Sequence, residues 1–187
     1  MPARTSLPVL HVALLRGINV GKAKRVVMAE LRALCEGLGY RDVRTLLNSG
    51  NVIFSAPRAD ARAAAKIQTE IASQLGVSCR VIVLTAAELD RVVTENPFAE
   101  GETNPARFLV TVLANAADRS RVAALAKEDW GTERLGVGTL AAYLWLPDGI
   151  LESRAALAIG KLLGDAVTSR NWATITKLHA LTTSPNR

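Results

Sequence analysis

The residue pattern predicts an α/β protein of the α+β kind: a tandem duplication of two ferredoxin-like βαββαβ units with antiparallel sheets. Three observations carry that expectation. Short apolar runs alternate with segments of helical period. The order β-α-β-β-α-β is met once in each half of the chain. In each half the middle two strands are joined by a turn too short for a crossover, which makes them an antiparallel hairpin.

Val9 to Arg16 is an apolar run between Pro8 and Gly17, the pattern of a buried strand. After a polar loop, Met28, Leu31, Leu34, Cys35 and Leu38 recur at helical spacing, so a helix is expected over about 27–38, ended by Gly39. Strands over 42–47 and 51–55 flank the turn Asn48-Ser49-Gly50-Asn51. Ala64, Ile67, Ile71 and Leu75 mark one face of a second helix, stopped by Gly76, and the β-branched run Val77 to Val83 closes the first half.

A bridging helix near 86–95 and the loop Asn96-Pro97-Phe98 open the second half. A strand over 107–113, a helix near 118–127 and a hairpin over 132–146 with Gly136 and Gly138 at its turn come next. A helix over 153–163 ends at Gly164, an extended piece follows, and a C-terminal helix is expected near 172–182. The expected boundaries are a first unit over 1–85 and a second over 86–187. One continuous mixed sheet is the competing arrangement.

The 187 residues, 49% hydrophobic and 21% charged, are enough to bury a substantial core. No apolar run reaches the roughly 20 residues of a membrane helix, and Met1 to Pro8 shows no small-residue cleavage pattern. Cys35 and Cys79 lie on apolar faces without C-x-x-C spacing, as buried reduced thiols do. These features point to a cytoplasmic protein with no membrane partner.

The formal charge of +6 is uneven, since Arg4, Arg16, Lys22, Lys24 and Arg25 face no acid in the first 29 residues. Residues 153–187 hold Arg154, Lys161, Arg170, Lys177 and Arg187 against Asp165 alone, so the middle of the chain is net acidic. Basic ends of this kind favour phosphates, nucleic acid or acidic partners if they form one face, and are solvated surface arginine and lysine if they do not.

Five short segments then occur in order: Leu14 to Gly21 (LLRGINVG), Ser49-Gly50-Asn51-Val52, Asn96-Pro97-Phe98, Tyr143 to Ile150 (YLWLPDGI), and Arg170-Asn171-Trp172 with Thr176-Lys177-Leu178. In these the chain resembles the DUF1697 family along nearly its whole length. The resemblance implies a duplicated ferredoxin-like α/β fold and assigns no chemistry. Lys22-Ala23-Lys24 stands where Gly-Lys-Asn is common in the family, Arg154 where lysine is usual, Asn48 in place of glutamine and Ala173 in place of asparagine. The first two changes keep or add positive charge.

The loop after the first strand is the strongest local feature, with Arg16, Gly17, Asn19, Gly21, Lys22 and Lys24 placed between a buried strand and a helix N-terminus. Glycine lets backbone N–H groups approach an anion, and the helix end adds partial positive charge. The loop fits neither the phosphate-loop pattern nor the dinucleotide fingerprint. A turn that uses Gly17 and Gly21 for their dihedrals and Asn19 to cap local backbone explains the same residues. Ser49 and Asn51 are placed to line the same edge or to shape the hairpin. Arg170 offers a guanidinium suited to phosphate, while Asn171 sits where it would cap the last helix beneath an apolar face of Trp172, Ile175 and Leu178.

His11 lies inside an apolar strand and His179 on the last helix, neither with a cysteine or carboxylate at ligand spacing, so no metal set, cofactor, nucleophile or general base is indicated. The leading expectation is a binding protein that holds a small anionic or phosphorylated ligand through the basic loop at 16–25. The alternatives are single-stranded nucleic-acid binding, with Tyr143 and Trp145 as stacking surfaces, or an enzyme acting on a phosphorylated substrate.

Overall fold

A computed structural model describes residues 8–20, 25–98 and 104–183. Gly21, Lys22 and Lys24 of the expected site lie outside these described residues. The chain divides into two compact units, Met1–Ala87 with Thr182–Arg187, and Glu88–Leu181.

The first unit runs β1 (Val9–Arg16), α1 (Met28–Gly37), β2 (Arg41–Leu46), β3 (Asn51–Ala56), α2 (Ala63–Leu75) and β4 (Arg80–Thr85). Its sheet has the order β2-β3-β1-β4 with every pairing antiparallel. β1 is central, with Ala13 opposite Val52 on one side and Val83 on the other. Residues alternate across a strand, so Ala13, Leu15, Val52, Phe54 and Val81 share one face, and they are buried in one cluster with Leu31, Leu34 and Cys35 of α1 and Ile67 and Ile71 of α2. Both cysteines are buried, and burial, with Glu36 beside it, pushes the Cys35 thiol up to about 12.

The second unit holds α3 (Ala86–Thr94) from Glu88 onward, then β5 (Phe108–Leu113), a 3-10 turn over Ala116–Asp118, α4 (Arg119–Leu125), β6 (Arg134–Val137), β7 (Ala141–Trp145), α5 (Arg154–Leu163), β8 (Val167–Asn171) and most of α6 (Trp172–Thr183). Its sheet order, β6-β7-β5-β8, repeats that of the first unit position for position. Val122 of α4 and Ala155, Ile159 and Leu163 of α5 bury one face of it against Leu113, Ala142, Leu144 and Val167. There are thus two separate four-stranded antiparallel sheets, and the single continuous sheet is set aside. No helix among the described residues is long and apolar enough to cross a membrane.

One turn falls differently from its expectation. Gly136 lies within β6 opposite Tyr143, and the hairpin reverses after it, where Gly138 N–H donates to Ala141 O at 2.9 Å. The reason is space rather than turn dihedral: a Cβ on Gly136 would collide with the Pro97 ring and come within 3.1 Å of Phe98. The Asn96-Pro97-Phe98 segment therefore packs directly on strand backbone, with Phe98 N–H held by Asn96 Oδ1 at 2.9 Å.

Candidate functional site

The end of β1, the start of α1 and the β2–β3 turn meet at a cleft of about 440 Å³ lined by Asn19, Arg25, Val26, Val27, Met28 and Asn48. Asn19 builds it. Its φ of 55° is in the left-handed region that asparagine tolerates. From there Nδ2 donates to Val26 O at 3.0 Å and to Asn48 O at 2.7 Å, while Oδ1 accepts from Val26 N–H at 2.9 Å. One side chain thus pairs with both polar groups of Val26, across the base of the loop, and ties that base to the neighbouring turn.

The turn itself is braced from within. Asn51 is fully buried, and its Nδ2 donates to Leu46 O at 2.8 Å and to Ser49 Oγ at 3.0 Å. Gly50, at φ 76°, lies so close to β1 that a Cβ there would stand 2.7 Å from Leu15 Cβ and Ile18 Cδ1, and its carbonyl accepts from Leu15 N–H at 2.8 Å. The Ser-Gly-Asn signature is thereby a contact with β1 as much as a turn. Leu47 also holds a left-handed φ of 59° while 53% exposed.

Of the residues expected here, Asn19 lines the cleft, Ser49 and Asn51 hold the turn beside it, and Arg16 closes β1 opposite Arg80 without lining it. Arg25 does line it, and its guanidinium makes no hydrogen bond or ion pair among the described residues. The helix start is open too, because Val27 in the N-cap position provides no side-chain hydrogen bond. Arg25 was legible only as one more cation in a basic stretch.

Arg170 and Asn171 belong to the second unit. Arg170 is only 9% exposed, opposite Val110 in the sheet, with Nη1 donating to Thr168 Oγ1 at 3.1 Å and Ser169 O at 2.8 Å. Desolvation pulls its pKa down to about 10, so it stays charged at neutral pH. Asn171 caps α6: its Oδ1 accepts from Thr174 N–H at 2.9 Å and Thr174 Oγ1 at 2.7 Å. Trp172 rests edge-on against Phe108 at 5.3 Å, and Ile175 and Leu178 are fully buried. Tyr143 is fully buried and donates to Val92 O at 2.7 Å, which removes its ring as a stacking surface.

A second polar cluster, which no residue spacing announces, lies at the other end of the first sheet. Asp60 Oδ2 accepts from Tyr40 Oη at 3.0 Å and Lys66 Nζ at 2.7 Å, and Oδ1 accepts from Arg62 N–H at 3.0 Å. Asp60 N–H donates to His11 Nε2 at 3.2 Å, while His11 Nδ1 lies 2.9 Å from Val9 O. That pair of contacts fits a neutral imidazole protonated at Nδ1. Lys66 above all, then the Arg62 amide and the Tyr40 hydroxyl, hold the Asp60 carboxyl below its usual range against the opposing effect of burial. The partners are separated by 49, 20 and 6 residues, which is why spacing could not reveal them. In the second unit, likewise, His179 Nε2 meets Asp90 Oδ1 at 2.8 Å from 89 residues away. Among the described residues no group of three or more His, Cys, Asp or Glu is placed to hold a metal ion.

This fold has a solved counterpart. The conserved bacterial protein SP0830 from Streptococcus pneumoniae superposes with a TM-score of 0.78 at 24% sequence identity, covering 94% of this chain and 99% of that one. At that identity the likeness is one of fold. No curated protein matches the chain. Residues 10–143 match the family described as "Protein of unknown function (DUF1697)", a span that takes in both the Asn19 clamp and the Gly136 packing. The chain belongs to the DUF1697 family.

Proposed function

We propose that the chain is a binding protein for a small anionic ligand, one that joins a phosphate or carboxylate to a flat or apolar group, and that the 16–25 loop receives it. The observation that carries this reading is Arg25, whose guanidinium has no partner among the described residues and borders a cleft at an uncapped helix start. First-turn N–H groups that receive no side-chain cap from Val27 and a guanidinium favour the same oxyanion. Glu30 in that first turn offsets part of the helix field, which leaves recognition chiefly to the arginine. Lys22 and Lys24 add charge to the same loop by sequence.

The apolar part of the ligand follows from the rim. Val27 lines the cleft at 57% exposure, and Val20 and Leu47, the chain neighbours of Asn19 and Asn48, are 72% and 53% exposed. An exposed valine in the lining, with two more exposed aliphatic residues next to lining residues in the chain, suits a nucleoside monophosphate better than a bare ion.

Calorimetric titration with adenosine monophosphate and with inorganic phosphate tests this. The nucleotide is expected to bind more tightly than phosphate, with at least a tenfold loss in Arg25→Ala and a smaller one in Lys22→Ala. Nucleotide affinity unchanged in Arg25→Ala would overturn the reading.

A further inference from the structure

The cluster around Asp60 floors a second hollow, of about 560 Å³, at the end of the first sheet where β1 begins and β3 ends. Its volume is in the range that small-molecule sites occupy. Its chemistry is uneven. Three cations, Arg58, Arg62 and Lys66, border it against one carboxylate, Asp60. The Lys66 ammonium is already spent on Asp60 at 2.7 Å. The guanidiniums of Arg58 and Arg62 make no hydrogen bond or ion pair among the described residues. What the hollow shows a ligand is therefore two unpaired forks beside a neutralised acid.

The frame that holds them is fixed. The loop from Pro57 to Arg62 is tied to β1 by the Asp60 N–H to His11 bond, to the entry of β2 by Tyr40, and to α2 by Lys66 and by Ala63 N–H donating to Asp60 O at 3.0 Å. His11 and Tyr40 are in turn packed on Phe54, with ring centroids at 5.1 and 4.2 Å. Arg58 and Arg62 thus stand two and two residues either side of a backbone point anchored on three elements. Anchoring of that kind lowers the entropy lost when a ligand is gripped.

We propose that this hollow is a second ligand site, for a small phosphomonoester that carries hydroxyl groups, such as a sugar phosphate. Two guanidinium forks match the charge and the paired oxygens of a phosphate dianion, whereas a monocarboxylate would leave one fork unused. Asp60 supplies the other half of the recognition. Its Oδ1 accepts only from Arg62 N–H among the described residues, so it retains a lone pair for a ligand hydroxyl. This site lies apart from the loop cleft and does not depend on it.

Titration of the whole chain with glucose 6-phosphate, inorganic phosphate and glucose decides the matter. Glucose 6-phosphate is expected to bind more tightly than phosphate, and glucose not measurably. The Arg58→Ala, Arg62→Ala double variant should lose at least tenfold in affinity for the sugar phosphate while keeping its melting temperature, since both side chains are exposed and without a partner among the described residues. The same loss is expected when the double change is made on an Arg25→Ala background, where the loop cleft no longer contributes phosphate binding. Sugar-phosphate binding on that background that is unaltered by the Arg58 and Arg62 changes overturns the proposal. So does equal stabilisation by sulfate at matched ionic strength, which would mark a general effect of anions.

Discussion

Asn19 concentrates more of the local architecture in one side chain than any other described residue of the loop. Its three hydrogen bonds satisfy Val26 N–H, Val26 O and Asn48 O, and its positive φ is one that alanine resists. Net hydrogen-bond contributions of about 1 kcal/mol each and about 1 kcal/mol for the dihedral put the cost of Asn19→Ala at about 2–4 kcal/mol. Asn19→Asp should cost a similar amount, because a second carboxylate oxygen would face two carbonyls where an amide now donates. Urea unfolding measures both, and a midpoint within error of the parent would show that the clamp carries no stability. The contrast with Asn171 explains what could be foreseen. Asn171 caps a helix three residues ahead, a spacing that sequence displays, so its role was legible. Asn19 reaches 7 and 29 residues away, and only the folded chain reveals that its amide is engaged in structure.

At the scale of elements, the strands and helices were legible because each repeats its own apolar period, 2 or 3.6 residues, within a short stretch. The supports between elements were not. α5 is the clearest case. Its first-turn N–H groups are all met by side chains: Arg154 and Ala155 donate to Glu133 Oε1 and Oε2 at 2.9 and 3.1 Å, and Ala156 donates to Ser153 Oγ at 2.9 Å. Ser153, itself buried, donates back to Glu133 Oε2 at 2.7 Å. Ser153 is a recognisable helix start, but Glu133 arrives from some twenty residues upstream. A carboxylate at a helix N-terminus gains from the dipole as well as from the bonds. Glu133→Gln removes the charge and turns an amide N–H toward backbone N–H groups, at a cost of about 1–2 kcal/mol. In a chain of this length that is a fall of about 2–8 °C in melting temperature. Faster hydrogen exchange at Arg154 and Ala155 should accompany it, and unaltered exchange there would remove Glu133 as the cap.

For the whole molecule, the same type of contact recurs in both units and sets a common response to acid. Asp60 in the first unit is held low chiefly by Lys66. Glu95 in the second is held low first by the Thr139 N–H, with the Thr139 hydroxyl adding 2.8 Å from Oε1, against the opposing effect of burial. Burial is the largest influence on Glu133 and pushes it up, yet the Ser153 hydroxyl and the two α5 amides together outweigh it. All three carboxyls therefore have folded values below their ordinary 3.8 and 4.5. The unfolded chain binds protons first as pH falls, so each group contributes stability that is full above its ordinary value and is lost as pH drops through its lower folded one. Stability should be flat from about pH 7 to about pH 5.5 as far as these groups govern it, then decline as the three take up protons. The slope below that point should flatten in a variant joining Asp60→Asn, Glu95→Gln and Glu133→Gln, even though its stability at neutral pH is lower. Denaturant midpoints taken from pH 7 to pH 3 supply the comparison. Parallel curves for parent and variant would mean that the acid sensitivity of the fold originates in other groups.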